Sequence, residues 1–251
     1  TLCTRPGLHR PAGVGDAVTH ELRSLRGIVA EHVLGVQPER WIDVGTAGLS
    51  RWVERTDTPA ARLLRFVYDQ GWEAIGQTST NAMPDLAPDA LLALLDGPDA
   101  AAFIAEPTLG GGAIETGPGA RQQRHPLIVA LRERHGQGLI TRLAARLVEI
   151  ARITLDLPLG DADTPARMAP GLAQLEAARG RLCHRVVLDD GRIQRYRILA
   201  PTEWNFGPHG PAVQALRGIA QAPPTGVRAQ AELLIHAIDP CVGYKLEVEP
   251  A

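Results

Sequence analysis

Cysteine is scarce in this sequence of 251 residues, with thiols only at Cys3, Cys183 and Cys241. Three thiols this far apart cannot form the disulfide framework of a small secreted domain, and the odd number leaves at least one of them free. Because a free thiol favours a reducing compartment, the sequence predicts a cytoplasmic protein.

Long apolar runs and an excess of one charge are missing as well. No run reaches the ~18–20 apolar residues that a membrane-spanning helix needs, and the N-terminus lacks the basic and apolar regions of a signal peptide. The net charge of −2 is not the basic excess of a nucleic-acid or membrane-surface binder. We therefore expect the protein to bind neither nucleic acid nor a membrane surface. The sequence starts at Thr1 rather than Met, so it can be a truncated form of a longer protein.

Aromatic residues make up only 4% of the chain, so the core must be built from aliphatic side chains. The clearest predicted β element is a β-hairpin, because an Asp-Asp-Gly turn at 189–191 joins two runs rich in β-forming residues, 183–188 and 192–200. The sequence predicts an α+β fold that is predominantly α-helical, as a single domain over residues 1–251. The predicted helices cover residues 11–36, 56–72, 88–95, 127–157 (with Gly136 and Gly138 dividing or kinking it), 208–220 and 224–238. The predicted strands cover residues 102–105, 113–116, 183–188 and 192–200, and 158–171 is a predicted loop.

An Asp-Pro-Cys sequence at 239–241 ends the last predicted helix. Proline disfavours helical geometry at the residue before it, so the helix must stop there and the Cys241 thiol sits at a rigid corner. Thiolates are soft ligands for iron, nickel, copper(I) or zinc. A cysteine near a C-terminus is otherwise a small buried hydrophobe, so the residues alone leave both roles open.

Three further stretches have a recognisable order along the chain. Residues 114–118 read Ile-Glu-Thr-Gly-Pro, residues 176–184 contain Arg-Gly followed by Cys-His, and residues 200–205 read Ala-Pro-Thr-Glu-Trp-Asn. Together with the Asp-Pro-Cys corner they resemble the large subunit of nickel–iron hydrogenases from about residue 114 to 243. Before residue 110 the resemblance is weak. It implies a hydrogenase large-subunit-like helical core with a small β-hairpin element.

The resemblance also implies a chemistry. In hydrogenases four cysteine thiolates hold a nickel and an iron that carries two cyanides and one carbon monoxide, Fe(CN)2(CO). An arginine and a Ser/Thr donate hydrogen bonds to the cyanides, and these positions correspond to Arg179 and to Thr202 in the Pro201-Thr202 pair. A guanidinium and a hydroxyl are suitable donors to anionic nitrogen. Without the resemblance, a surface ion pair for Arg179 and a helix cap for Thr202 would be the simpler roles.

The sequence departs from the hydrogenase pattern at the thiolates. Tyr244 occupies the second cysteine position of the C-terminal motif, and Glu247 occupies its histidine position. At the N-terminus Cys3 matches either the first or the second cysteine of the family's motif, with His9 as a nearby candidate ligand. At most two thiolates, Cys241 and Cys3, remain for a metal, so no complete nickel site is expected. Cys183 is predicted to be a buried strand residue, and His184 is predicted to form a structural hydrogen bond.

This pattern is similar to hydrogenase maturation proteins of the HupK/HoxV type, which are large-subunit-like but not hydrogenases. The resemblance implies an assembly scaffold that transiently binds Fe(CN)2(CO), with no catalytic activity. It implies as partners the maturation proteins that carry the iron unit and the hydrogenase large-subunit precursor. Two alternatives remain open: a metal-free paralogue acting as a protein-interaction module, and a divergent hydrogenase-like oxidoreductase.

Overall fold

A buried helix organises the larger of two cores in the computed structural model, which describes residues 16–156, 167–219 and 226–249. This helix, Leu139–Asp156, contacts helices from both ends of the described chain. Leucine, isoleucine, valine and alanine fill most of the core around it, as the low aromatic content predicts.

The helices and strands are numbered in chain order. The helices are α1 (Asp16–Ile28, continued by a π-helical turn, Val29–Leu34), α2 (Pro38–Ile42), α3 (Thr46–Arg55), α4 (Pro59–Asp69), α5 (Pro88–Asp96), α6 (Ala100–Ala105), α7 (Pro118–Arg121), α8 (Pro126–His135), α9 (Leu139–Asp156), α10 (Pro201–Phe206), α11 (Pro211–Ile219) and α12 (Val227–Ile238). The strands are β1 (Asn81–Ala82), β2 (Ile114–Glu115), β3 (Arg167–Ala169), β4 (Leu172–Ala177), β5 (Gly180–Asp189) and β6 (Arg192–Leu199).

Proline explains where many of these helices begin. Its fixed φ and missing N–H suit the first helical turn, and seven of the described helices start at a proline. Ahead of α4, Thr58 accepts a hydrogen bond from the backbone N–H of Ala61 at 3.2 Å, as an N-cap should. Ahead of α8, the His125 ring accepts one from the backbone N–H of Leu127, so His125 is the N-cap of that helix.

Four strands form an antiparallel sheet in the order β3-β4-β5-β6. The predicted hairpin is confirmed, and its turn has positive φ at Asp190 (46°) and Gly191 (73°), as a type I′ turn requires. One face of the sheet contributes Leu172, Cys183 and Leu199 to the smaller core. A separate parallel pair joins β1 to β2.

The α+β class, predominantly helical, is confirmed, while several element predictions need correction. Residues 102–105 belong to helix α6 rather than to a strand, because alanine, the strongest helix former, supplies most of Ala100–Ala105. Helix 127–157 divides into α8 and α9. At Gly136 φ is +62°, and a Cβ at Gly138 would lie 2.7 Å from the carbonyl oxygen of Glu73.

Some helices and strands of the structure are not among those that the sequence predicts. Strands β3 and β4 were not predicted, and β3 begins inside the stretch expected to be a loop. Helices α2 and α3 were missed as well. In the described part of the chain, no helix combines the length and the apolar character needed to cross a bilayer.

Candidate functional site

Thr116 lies where three of the sequence motifs meet. The side-chain amide of Asn205 accepts a hydrogen bond from the Thr116 N–H at 2.9 Å and donates one to the Thr116 carbonyl at 3.0 Å. The Thr116 hydroxyl in turn accepts a hydrogen bond from the N–H of Arg181 at 2.8 Å. One residue therefore joins the loop after β2, the start of β5 and helix α10.

Two glycines allow this close approach. Gly180 has φ +137°, and a Cβ there would lie 2.6 Å from the hydroxyl of Thr116. Gly117 has φ +119°, and a Cβ there would lie 3.1 Å from the carbonyl oxygen of Arg179. Gly180 thus packs against the Thr116 side chain and Gly117 against the Arg179 backbone, which explains why both motifs need glycine at these positions.

Arg121 holds the chain immediately before Arg179. Its guanidinium pairs with Glu149 of α9 and Glu176 of β4, and it donates to the carbonyl oxygens of Ala177 and Ala178. Burial alone would lower the pKa of Arg121, but hydrogen bonds and charge from the two glutamates outweigh it and raise the pKa. Arg121 is therefore a fixed cation that anchors the turn between β4 and β5.

A second ion pair is fully buried beside Thr116. Glu115 accepts hydrogen bonds from Arg142 of α9 at 2.8 Å through both oxygens, and from Gln137 and Thr80. Burial raises the pKa of Glu115, but the charge and hydrogen bonds of Arg142 dominate, so the pKa is below its ordinary value. Helical spacing puts Arg142 and Glu149 on one polar side of α9. In the structure both are buried, and each has a charged partner that compensates for its burial.

The Asp-Pro-Cys corner is joined to Arg179 by an ion pair. Asp239 ends α12 with φ +70°, and its carboxylate lies 3.2 Å from Nε of Arg179 and 3.5 Å from Nη2 of Arg146. Arg146 also donates to the carbonyl oxygens of His236 and Ala237 at the end of the helix. Arg179 thus forms the partly exposed ion pair that the residues alone suggested, and its partner belongs to the thiol-bearing motif.

Cys241 is an exposed free thiol just beyond this ion pair. The following chain turns back along α12, since the hydroxyl of Tyr244 lies 3.1 Å from Nε2 of His236 and the carbonyl of Leu246 accepts from Arg228. Tyr244, at the position of the family's second thiolate, is therefore occupied with a hydrogen bond to a helix side chain.

Pro201 and Thr202 open helix α10. Pro201 is buried and Thr202 is half-buried. The N-cap residue is Ala200, whose N–H donates to the Glu203 carboxylate at 2.8 Å, so Thr202 lies inside the first turn and is not the cap. The alternative role of helix cap therefore does not hold for Thr202, while Asn205, one turn later, ties its helix to the site through Thr116.

The remaining candidates divide between the core and the undescribed N-terminus. Cys183 is a buried strand residue, as predicted, and burial raises the pKa of its thiol to about 11. His184 has the predicted structural hydrogen bond, with Nδ1 at 2.7 Å from the hydroxyl of Tyr196. Cys3 and His9 lie outside the described residues.

The structure therefore links Arg179 to the Cys241 corner and links α10, with Thr202, to the Arg-Gly turn. Sequence reasoning did not assign roles to Thr116, Asn205 or Arg146. For Thr116 and Asn205 a signal existed, because both lie inside motifs that carry the hydrogenase resemblance. Arg146 had none beyond its place on the polar side of a helix.

This fold and this grouping of motifs are those of a hydrogenase large-subunit-like protein. The family model for nickel-dependent hydrogenase matches residues 119–244, half of the chain, so the chain belongs to that family. Its curated relatives include two hydrogenase expression/formation proteins. HupK of Bradyrhizobium diazoefficiens is 39% identical over 162 residues, covering 61% of this chain and 44% of that protein. HoxV of Cupriavidus necator is 34% identical over 237 residues, covering 86% of this chain and 60% of that protein.

The chain thus spans about half the length of these relatives. Among solved structures, the nickel–iron–selenium hydrogenase of Desulfovibrio vulgaris Hildenborough is similar with a TM-score of 0.53. That match is 19% identical and covers 90% of this chain and 68% of that chain. At that identity the likeness shows the fold, and it agrees with the predicted hydrogenase large-subunit-like helical core.

Proposed function

We propose that this protein is a hydrogenase maturation scaffold. It takes the Fe(CN)2(CO) unit as cargo on the thiolate of Cys241, with Cys3 as a candidate second ligand and His9 near it. It then passes the unit to the precursor of a nickel–iron hydrogenase large subunit. The names of its relatives as expression/formation proteins support a maturation role.

The ion pair between Arg179 and Asp239 carries the proposal. It holds the guanidinium of Arg179, the proposed donor to cyanide, against Asp239, which is two positions before the exposed thiol of Cys241. A guanidinium has five N–H donors, and Asp239 is paired with Nε, so the Nη groups are the ones suited to an anionic cyanide. Thr202, in the first turn of α10, is the proposed second donor.

The donor set supports one iron rather than a nickel–iron centre. Tyr244 stands in place of the second C-terminal thiolate and bonds His236, and the thiol of Cys183 is buried in the smaller core. Fewer thiolates hold a metal less tightly, which suits a protein that must release its cargo. Release is a ligand exchange: the bond from iron to the Cys241 sulfur breaks as a thiolate of the acceptor bonds to the iron, with no change in electron count.

Infrared spectroscopy of protein produced anaerobically beside its maturation partners tests binding. The wild type is expected to show cyanide and carbonyl stretching bands from a bound iron, and Cys241→Ala is expected to lose them. Arg179→Gln is expected to keep iron but shift the cyanide bands, because a hydrogen-bond donor to cyanide has changed.

Cys183→Ala is the matched control, since it removes a thiol that lies outside the proposed site. Bands that survive in Cys241→Ala would refute the ligand assignment. Bands missing from the wild type, with hydrogenase maturation unaffected by Cys241→Ala, would favour the metal-free interaction module. Nickel at one equivalent with hydrogen-dependent dye reduction would instead favour the oxidoreductase.

A further inference from the structure

The antiparallel sheet presents an apolar face away from its core. Strand register places on this outer face the following side chains: Leu175, Leu182, His184, Val186, Leu188, Ile193, Tyr196 and Ile198. A sheet with one solvated face normally alternates apolar residues inward with polar residues outward. Here the outward set is almost wholly apolar, although the inward set also supplies Leu172, Cys183 and Leu199 to the smaller core.

The outer face is open to solvent. Leu175 is 38% exposed, Leu188 45%, Ile193 67%, Tyr196 52% and Ile198 42%. Five large apolar side chains in one contiguous patch are unlike the scattered exposed residues that any surface has. Such a patch is typical of a site that a protein partner covers.

The patch ends at an unpaired strand edge. In the part of the sheet that the structure describes, β5 pairs with one side of β6 and the other side is an edge. An edge strand presents a row of backbone N–H and C=O groups that an additional strand can pair with. The free edge of β6 and the apolar patch beside it could therefore bind an extended peptide segment. The backbone of that segment would pair with β6, and its apolar side chains would extend the outer face of the sheet.

Charge indicates the nature of that segment. Strand β6 carries Arg192, Arg195 and Arg197 and no acidic residue. Arg185 of β5 forms an ion pair with Asp96 at 2.7 Å, and Arg195 lies 3.9 Å from the same carboxylate. Arg197 donates a hydrogen bond to the carbonyl oxygen of Leu95. One aspartate thus faces three arginines, which leaves this edge positive.

A second copy of the chain is a poor partner for this edge. Two β6 strands side by side would bring Arg195 and Arg197 of both copies together, while the Asp96 of each copy is already paired with Arg185, and like charges on neighbouring strands destabilise the pairing. We infer that β6 accepts an extended segment of a partner protein in which apolar and acidic residues alternate. Its acidic side chains lie opposite Arg195 and Arg197, and its apolar ones lie opposite Tyr196 and Ile198.

Synthetic peptides test this surface directly and independently of iron. The probe is an acetylated, amidated eight-residue peptide that alternates valine and glutamate, compared with the same peptide carrying lysine for glutamate. Fluorescence anisotropy with the full chain is expected to give at least tenfold tighter binding of the glutamate peptide. Hydrogen exchange is expected to slow at the β6 amides.

Arg195→Glu is expected to weaken binding of the glutamate peptide at least tenfold and to improve that of the lysine peptide. Tyr196→Ser is expected to weaken both. Arg51→Glu, an exposed charge reversal on α3, is the control and is expected to change neither. Equal binding of the two peptides, protection away from β6, or a dimer whose dissociation is promoted by Tyr196→Ser would each overturn the inference.

Discussion

The two described cysteines lie in opposite environments, and this difference decides which one is suited to be the proposed metal ligand. Only the thiolate is a good ligand or nucleophile. Burial among apolar side chains raises the pKa of Cys183 to about 11, which keeps it a neutral thiol over the physiological range. Cys241 is exposed beyond the end of α12. The sequence identified Cys241 from its motif, and burial now separates it from Cys183 on physical grounds.

Alkylation with iodoacetamide at pH 8 should therefore modify Cys241 and leave Cys183 unmodified in the folded protein. Mass spectrometry of digested protein gives the extent of labelling at each site. Unfolding in guanidinium chloride should make Cys183 reactive, because its pKa returns to about 8.5. Faster labelling of Cys183 than of Cys241 under native conditions would contradict the burial of the former.

The pairing of Arg179 with Asp239 leads to a second residue-scale prediction. The pair is partly exposed, so its loss should change stability by no more than about 1 kcal/mol. Asp239→Asn should therefore fold normally yet shift the cyanide bands of bound iron, because the guanidinium loses the partner that orients it. Arg62→Ala, which removes an exposed ion pair with Asp57, is the matched control. Infrared bands identical to the wild type would show that Asp239 does not position Arg179.

At the scale of elements, helix starts and the hairpin were predictable because their signals are local. Pro59 and the Asp-Gly turn each determine backbone geometry at their own position. Strands β3 and β4 were not predictable in the same way, since β4 owes its place to pairing with β5. Its buried residues, Leu172 and Gln174, alternate with the partly buried Ala173 and the exposed Leu175, so the strand lacks the simple alternation of apolar and polar residues. The grouping at Thr116 depends on contacts such as that with Asn205, 89 residues away in sequence.

Asn205→Ala should test how much that grouping contributes. The substitution leaves the buried N–H and C=O of Thr116 without their partner, and each unsatisfied group costs about 1–3 kcal/mol. Denaturant unfolding should therefore show a loss of about 2–6 kcal/mol for the two groups together. Gln194→Ala, at the exposed bulge of β6, should change the unfolding free energy by less than about 0.5 kcal/mol. Equal effects of the two substitutions would refute the role of Asn205.

At the scale of the whole molecule, buried ion pairs join the two cores. Glu115 belongs to the strand pair beside the smaller core, whereas Arg142 belongs to α9 in the larger one. Arg121 links α9 to β4 through Glu149 and Glu176 in the same way. Helical spacing placed Arg142 and Glu149 on one polar side of α9, but it could not tell that this side faces another layer of the protein.

Removing one member of the buried pair should be costly. Arg142→Met leaves the Glu115 carboxylate buried without a cation and is expected to destabilise the fold by about 3–5 kcal/mol. Because the pKa of Glu115 is below its ordinary value in the fold, its contribution is present above about pH 4.3 and is lost as pH falls through the folded pKa. Unfolding free energies between pH 7 and pH 3 should thus fall less steeply in Glu115→Gln than in the wild type.

Transfer of the iron unit tests the central claim most directly. Scaffold loaded with ¹³C-labelled cyanide is mixed with an unlabelled large-subunit precursor, the two proteins are separated, and infrared spectra of both are recorded over time. The account predicts that the isotope-shifted bands disappear from the scaffold as they appear in the precursor, and that Cys241→Ala, which cannot be loaded, delivers none. Labelled bands that remain on the scaffold while the precursor matures with unlabelled cyanide would contradict it.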